Sequence, residues 1–426
     1  MKVVVINPNT PFLINEKVFP NIGAVRVATA LSKEHDVEFI DLAGRNDGEE
    51  VMKQIAHKYD CYLFTSTTPA FPYTYTLFKR LKITNPKAKT IIGGAHASAI
   101  SSLRRRGIKD INIERLEEFD TIFEGEGEDI TNIFTPGWQK GKLIHNIDTT
   151  PIPNWGFIDP KSYVYNMNGR RTTNIQTQRG CPYQCTFCCG RDIEMYNKVR
   201  SHSPERVLQE MDLLHKKYGF SSFMWYDDEI GVDINRLEIL CKELEKRKYQ
   251  HRGFVRSDIV VKHPEIVEWL KKAGFVKLCV GVESGSDRVL KIIKKGVTSE
   301  MNLQARRIIG NAGIHYEAFT LLGLPTETEE DVQMTKEWLL KAKPDDFDIN
   351  VVTPYPGSKI YDDSVPSNRF KKYGWVYRKL YFNKSDYSQT QSFYKGIGGK
   401  SAVDTRTETM TSERLHQLRE EIQCIK

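Results

Sequence analysis

Apolar residues in this chain follow two rhythms. Short β-branched runs of strand length alternate with longer stretches in which apolar positions recur every third or fourth residue. The first pattern marks buried parallel strands and the second amphipathic helices. Strands are predicted at 2–6, 37–42, 61–65, 89–92 and 121–123, and a helix at 21–34 carries Ile22, Val25, Val27, Ala28 and Leu31 on one face. The alternation resumes with strands at 172–177, 222–226, 253–256, 276–280, 316–322 and 347–352. Helices fill the gaps at 235–246, 265–272, 301–312 and 329–341. Ser203-Pro204-Glu205 opens another helix, with serine as the cap and proline in the first turn.

Strand–helix alternation predicts an α/β protein. Residues 1–135 read as a Rossmann-like, doubly wound sheet, and 136–170, with Pro151 and Pro153 and little periodicity, as a linker. Residues 171–358 supply six β/α units, an incomplete TIM-like barrel, and 359–426 form a small C-terminal region. There Tyr373, Trp375, Tyr377, Tyr381, Phe382, Tyr387, Phe393 and Tyr394 crowd together. They either cover the barrel mouth and shape a substrate pocket or pack a helical cap. The stretch 412–425 reads as an amphipathic helix.

Composition excludes several classes. The 426 residues are 39% hydrophobic and 27% charged, with a net charge of +7, values ordinary for a folded protein with more than one domain. No apolar run approaches membrane-spanning length. The first residues lack the pattern of an export signal, so a cytoplasmic location is expected. Arg104-Arg105-Arg106 and Lys371-Lys372 are local basic spots that read as solvated helix ends, and no strong nucleic-acid signature is present.

The chemistry concentrates in Cys181-Pro-Tyr-Gln-Cys185-Thr-Phe-Cys188. Three cysteines at CxxxCxxC spacing, on a loop leaving a strand, can hold an iron–sulfur cluster one ligand short. A structural zinc site would need a fourth ligand, for which Cys189, His202 and His215 are the nearby choices. A disulfide framework does not suit eight cysteines in a long chain without a secretory signal. With Phe187 before the last cysteine, the motif resembles that of the radical S-adenosylmethionine (radical SAM) superfamily. The resemblance implies that Cys181, Cys185 and Cys188 hold a 4Fe–4S cluster whose open iron binds S-adenosylmethionine.

Two earlier loops, Gly93-Gly94-x-His96-x-Ser98 and Glu124-Gly125-Glu126-Gly127-Glu128, resemble segments of the cobalamin-binding domain that precedes many radical SAM domains. By that resemblance Asn7, Thr67, Thr68, Gly93, Gly94, His96, Ser98, Glu124, Gly125, Glu126 and Gly127 mark an edge for cobalamin. There is no DxHxxG motif to supply a cobalt-ligating histidine, and His96 reads as a loop-packing or edge-contact residue.

On the barrel, residues at strand carboxyl ends should carry the chemistry. Asp227 and Asp228 are placed to accept from the ammonium of S-adenosylmethionine, Arg256 to fork onto its carboxylate or to pair with Asp258 or Glu283, and Glu283 with Ser284 to read ribose hydroxyls. Gly323-Leu324-Pro325 would admit the adenine. The ordered string GVESG, KKGVT, GLP and PYPG extends the resemblance to Gly357.

The resulting expectation is an enzyme that forms a 5′-deoxyadenosyl radical and attacks an unactivated carbon of a small molecule, with methyl transfer from cobalamin. An external donor such as flavodoxin or ferredoxin would supply the electron. Alternatives are a non-methylating cyclase, ring-contracting or oxidative enzyme on a lipid, tetrapyrrole or natural product, a transfer-RNA methylthiotransferase, and a non-enzymatic cobalamin or iron–sulfur sensor.

Overall fold

The computed structural model describes residues 1–385, 387 and 404–425. Strands β1 (Lys2–Asn7), β2 (Asp36–Asp41), β3 (Cys61–Thr65), β4 (Thr90–Gly93), β5 (Thr121–Glu124) and β6 (Gly137–Lys140) form one parallel sheet in the order β2-β1-β3-β4-β5-β6. Val3, Val4, Val5 and Ile6 are all buried, because helices cover both faces and a β1 side chain meets protein whichever way it points. The strand order reverses between β1 and β3, which places a ligand crevice outside their carboxyl ends.

The second sheet begins with β7 (Asn166–Met167), antiparallel to β8 (Arg170–Ile175). A short ribbon of β9 (Gln178–Arg179) and β10 (Arg200–Ser201) brackets the cysteine loop. Strands β11 (Ser222–Trp225), β12 (Gln250–Phe254), β13 (Phe275–Glu283), β14 (His315–Leu322) and β15 (Asp346–Val351) then follow β8 in chain order, all parallel. Six parallel strands with helices outside make the expected partial barrel. Among the described residues no helix is long and apolar enough to cross a membrane.

The local signals act as read at several helix ends. Ser203 accepts from the Arg206 amide, Pro204 stands in the first turn, and Gly219 ends that helix at φ +76°. The helix Glu329–Ala342 starts on a reciprocal capping box between Thr328 and Asp331.

Three differences from the sequence reading have physical causes. The stretch taken as linker contributes β6, an edge strand of sequence GWQK whose two end residues are exposed, so it carries no apolar alternation. β12 starts at Gln250, because polar His251 is buried against Phe223, Trp225 and Phe275 and does the work of an apolar residue. The aromatic segment is no helical cap: β16 (Val365–Phe370), β17 (Tyr373–Tyr377), β18 (Leu380–Phe382) and β19 (Thr405–Thr407) make an antiparallel sheet. Phe393 and Tyr394 lie outside the described residues.

That sheet is joined to the N-terminal domain through a common core. Tyr361, Tyr377, Leu380, Phe382 and Tyr387 pack in one cluster with Phe71, Phe78, Ile92 and Leu116. The closing helix Ser412–Gln423 buries Leu415, Leu418 and Ile422 in the barrel core, and Arg419 donates to the Ile349 carbonyl of β15 at 2.9 Å. Since Phe382 is 1% exposed, Phe382→Ala should lower the free energy of unfolding by about 3–5 kcal/mol. Urea denaturation would read this as a lower midpoint for the whole N-terminal unit; an unchanged midpoint would mean that the sheet is only draped on it.

Candidate functional site

The cysteine loop is fixed from several sides. Gly180 enters it at φ +84°, where a Cβ would stand 2.2 Å from the Lys198 carbonyl, so only glycine fits. The Cys181 amide donates to Tyr196 O at 3.0 Å, the Thr186 amide to Ile293 O at 2.9 Å, and Gly190 to Gly357 O at 2.7 Å. Buried Arg191 gathers the loop from within, donating to the carbonyls of Cys181 at 2.8 Å and Tyr183 at 3.1 Å. Sequence reasoning missed Arg191, and nothing marked it but its nearness to the motif.

All three cysteines are unpaired, Cys185 buried and Cys181 and Cys188 half-buried. Burial pushes the thiols of Cys181 and Cys188 up, Cys188 to about 11. A metal must therefore displace these protons when it binds. His202 and His215 are engaged elsewhere, with Asp148 at 2.8 Å and the Phe220 carbonyl at 2.8 Å. No group of three or more His, Cys, Asp or Glu among the described residues converges on a single point.

The carboxylates after β11 divide their duties. Asp227 is buried and accepts from the Thr177 amide at 2.6 Å, the Gln178 amide at 2.9 Å and the Thr177 hydroxyl. Burial pushes it up to about 6, with these bonds opposing. It anchors the strand that leads into the cysteine loop, and both its oxygens are occupied. Asp228 instead lines a cavity and is exposed to it; desolvation raises its pKa, and Arg191 and the Gly180 amide oppose that rise.

Glu283 stands at φ +63° beside an irregularity in β13 and pairs with buried Lys295 at 2.8 Å. Arg256 donates to Asp258 at 2.9 Å and to the Lys295 carbonyl at 2.6 Å. Ser284 is turned inward, contacting Thr335 at 3.3 Å and accepting from the Ser286 amide. The GLP turn is held by Glu327, which accepts from the amides of Gly323 at 2.6 Å and Leu324 at 3.1 Å. Leu324 and Pro325 are buried, Leu324 in the core shared with the N-terminal domain.

The cavity, about 350 Å³, opens where the carboxyl edges of the two sheets face each other. That is within the ordinary range for small-molecule sites. Thr67, Gly93, Gly94, Gly125, Glu126 and Gly127 line one side, and Gly180, Tyr196, Tyr226 and Asp228 the other. Gly94 sits at φ +93°, and a Cβ there would meet the Ser66 carbonyl at 2.8 Å.

Other residues expected on this edge stand behind it. Asn7 is held between Asp41 and Asn21, each at 2.9 Å. Ser98 accepts from the Gly125 amide at 3.1 Å, and Glu124 pairs with Arg105 at 2.6 Å. His96 is fully buried, 3.1 Å from the Thr68 hydroxyl and stacked on Phe71; burial pushes its pKa down to about 3. With His96 behind the wall, a corrinoid here would lack a histidine from that loop.

The acidic loop joins the two domains. Glu126 accepts from Arg179 and Arg200, each at 2.5 Å, and Glu128 from the other arm of Arg179. All three side chains of the Arg179 fork are nearly buried. Arg26 adds a further buried guanidinium, 3.4 Å from His202. The sequence placed the acidic residues beside cobalamin, but the two arginines that hold them were not foreseen, although Arg179 directly precedes the cysteine loop.

The family model of the radical SAM superfamily matches residues 175–339, and that of the B12 binding domain residues 16–131. The chain is a radical SAM protein with a B12-binding domain. The radical SAM domain implies a 4Fe–4S cluster and S-adenosylmethionine, and the domain before it implies cobalamin.

An uncharacterised methyltransferase of Pyrococcus horikoshii is 26% identical over 403 residues, covering 88% of this chain and 85% of its own. An anaerobic magnesium-protoporphyrin IX monomethyl ester cyclase of Rubrivivax gelatinosus is 24% identical, over 80% of this chain and 66% of that one. The radical SAM methyltransferase TsrM of Kitasatospora setae, solved with cobalamin and a 4Fe–4S cluster, shares the fold at TM-score 0.65 and 16% identity, covering 100% of this chain and 89% of that chain. The cobalamin-dependent enzyme OxsB shares it at TM-score 0.63 and 19% identity, over 79% of this chain. This radical SAM chain spans 51% of the OxsB chain.

Two variants test the supports of the site. Arg179→Met strands Glu128 and removes one of two donors from Glu126, which should cost about 3–5 kcal/mol. Arg179→Lys should recover only part, since an ammonium cannot fork. Thermal unfolding would show the loss as a lower Tm or as two separate transitions; unchanged melting would remove the clamp from the account. Glu327, pushed up to about 8 by burial, has a folded pKa above its ordinary 4.5. Its contribution is therefore complete below pH 4.5 and is lost as pH rises through 8. Glu327→Gln, always neutral, should gain on the native protein by at most about 1.4 kcal/mol per pH unit across that window, and urea midpoints measured from pH 5 to 8.5 check the slope.

Proposed function

We propose that the protein is a cobalamin-dependent radical SAM methyltransferase acting on an unactivated carbon of a small molecule. One observation carries the reading: the carboxyl edges of the two domains, each the ligand side of its fold, line a common cavity. The methyltransferase names of the Pyrococcus relative and of TsrM support it. When bound, the cluster and S-adenosylmethionine supply a 5′-deoxyadenosyl radical and the corrinoid supplies a methyl group.

The chain's own part is to bind, orient and exclude water. Arg191 and Gly180 set the shape of the loop that presents Cys181, Cys185 and Cys188. Asp228, the carboxylate of the pair that lines the cavity, receives the ammonium of S-adenosylmethionine. Glu283, paired with Lys295 at 2.8 Å, accepts from ribose hydroxyls, and the turn of Gly323 and Pro325 leaves room for the base. Thr67, Gly93, Gly94 and Gly125 offer backbone and hydroxyl groups to the corrinoid edge. The arginine–glutamate clamp keeps the two edges at a fixed separation, and an external one-electron donor of the flavodoxin or ferredoxin class completes the system.

A second reading, radical chemistry without methyl transfer, is favoured by the cyclases among the relatives. The products separate them. After anaerobic reconstitution with iron, sulfide and hydroxocobalamin, methyl transfer yields S-adenosylhomocysteine together with 5′-deoxyadenosine, whereas the second reading yields 5′-deoxyadenosine alone. Cys188→Ala should lose the visible absorbance of the cluster and at least about 1,000-fold of the cleavage rate. Full cleavage by that variant would overturn both readings.

A further inference from the structure

The cysteine loop rests on two buried cations, each facing an aromatic ring that belongs to the loop itself. The Arg256 guanidinium lies 3.6 Å from the centroid of Tyr183, and the Lys295 ammonium 5.9 Å from that of Phe187. Both cations are more than nine-tenths buried. Arg256 also reaches the loop's sulfur, with Nη1 3.9 Å from Cys185 Sγ. Its other donors are committed away from the loop, Nε to Asp258 at 2.9 Å and Nη2 to the Lys295 carbonyl at 2.6 Å.

The ion pair is therefore directional. Nη1 meets the thiol, and Nε, a different nitrogen of the guanidinium, meets the carboxylate. Lys295 repeats the arrangement, with Glu283 at 2.8 Å as the anion. Each nitrogen of the guanidinium thus has a protein partner; of the two roles the sequence offered it, a fork for a ligand carboxylate or a salt bridge to Asp258 or Glu283, the structure shows the pairing with Asp258.

We propose that Arg256 is a positioning residue that sets the reduction potential of the cluster through Cys185. The inference rests on the cluster reading above. A cluster held by thiolates becomes more negative by one charge on reduction, and a hydrogen bond or cation at a ligating sulfur stabilises the reduced state. One electron arrives from the external donor and no proton moves. Arg256 favours that uptake because its Nη1 lies 3.9 Å from the sulfur, while Asp258 contacts a different nitrogen. Tyr183 holds the guanidinium flat against the loop, which gives the second residue of the CxxxC stretch after Cys181 a purpose in this chain.

The test is a potentiometric titration of reconstituted protein followed by electron paramagnetic resonance, with iron and sulfide content measured first. Arg256→Met should retain the cluster and shift its reduction equilibrium at least about tenfold toward the oxidised form, 59 mV more negative for one electron. Arg256→Lys, which keeps the charge, should fall between Met and the native protein.

Asp258→Asn removes the anion and keeps the guanidinium, so it should move the midpoint in the positive direction, and it decides the matter by itself if the methionine variant does not take up iron. Native midpoints in the Met and Asn variants, with weakened S-adenosylmethionine binding in the first, would overturn the proposal and return Arg256 to the ligand's carboxylate. Absence of any cluster in the native protein would instead sink the reading beneath it.

Discussion

The structure depends on a charge arrangement buried between its two sheets. Glu126 and Glu128 come from the loop after β5, and Arg179 and Arg200 from the ribbon on either side of the cysteine loop. Burying four ionised groups is costly unless each finds partners of opposite sign, and here each does. Separating the domains would leave these charges unpaired or flooded with water, so the clamp specifies one mutual placement. That placement gives the cavity two walls. The acidic residues that the sequence marks as part of a cobalamin edge act first as struts.

The same economy governs the barrel rim. Each group proposed to meet a ligand has a neighbour with a supporting role: Asp228 follows anchored Asp227, Glu283 pairs with Lys295, and the GLP turn sits over Glu327. The supporting carboxylates are the most strongly desolvated ones, and Asp227 and Glu327 are accordingly raised to about 6 and about 8. At Asp227 and Glu327 a strongly shifted carboxylate marks structural support, since each accepts from backbone amides. Asp227 shows how a sequence motif alone would misassign the two.

Much of the architecture was legible because parallel strands buried on both faces are written as uninterrupted apolar runs, as at Val3–Val4–Val5–Ile6. The reading faltered where burial was achieved by other means. His251 fills a core position through aromatic packing, so β12 was started late. β6 is an edge strand with exposed ends and left no trace. The C-terminal aromatics were visible as a cluster, but their partners, such as Phe71 and Ile92, lie hundreds of residues away, and no local pattern encodes a meander that docks on another domain. In the site, cysteines and glycines were readable from spacing. Arg191, Arg200 and Lys295 were not given roles, because arginine and lysine are common and only the fold shows which of them are buried.

The cysteine loop is tied off by the far end of the barrel: Gly190 donates to Gly357 at 2.7 Å and Ile360 to Thr186 at 3.1 Å. Chain order and assembly order therefore differ. On a ribosome that has released residues up to 350, the three cysteines are already present with Tyr196, Ile293 and Arg191 to hold them, yet the two bonds to Gly357 and Ile360 have no partners. The loop is finished only when the last strand of the barrel and the turn after it have been made. The complete shape of the loop is accordingly a product of the whole barrel, reached after the cysteines themselves have been made.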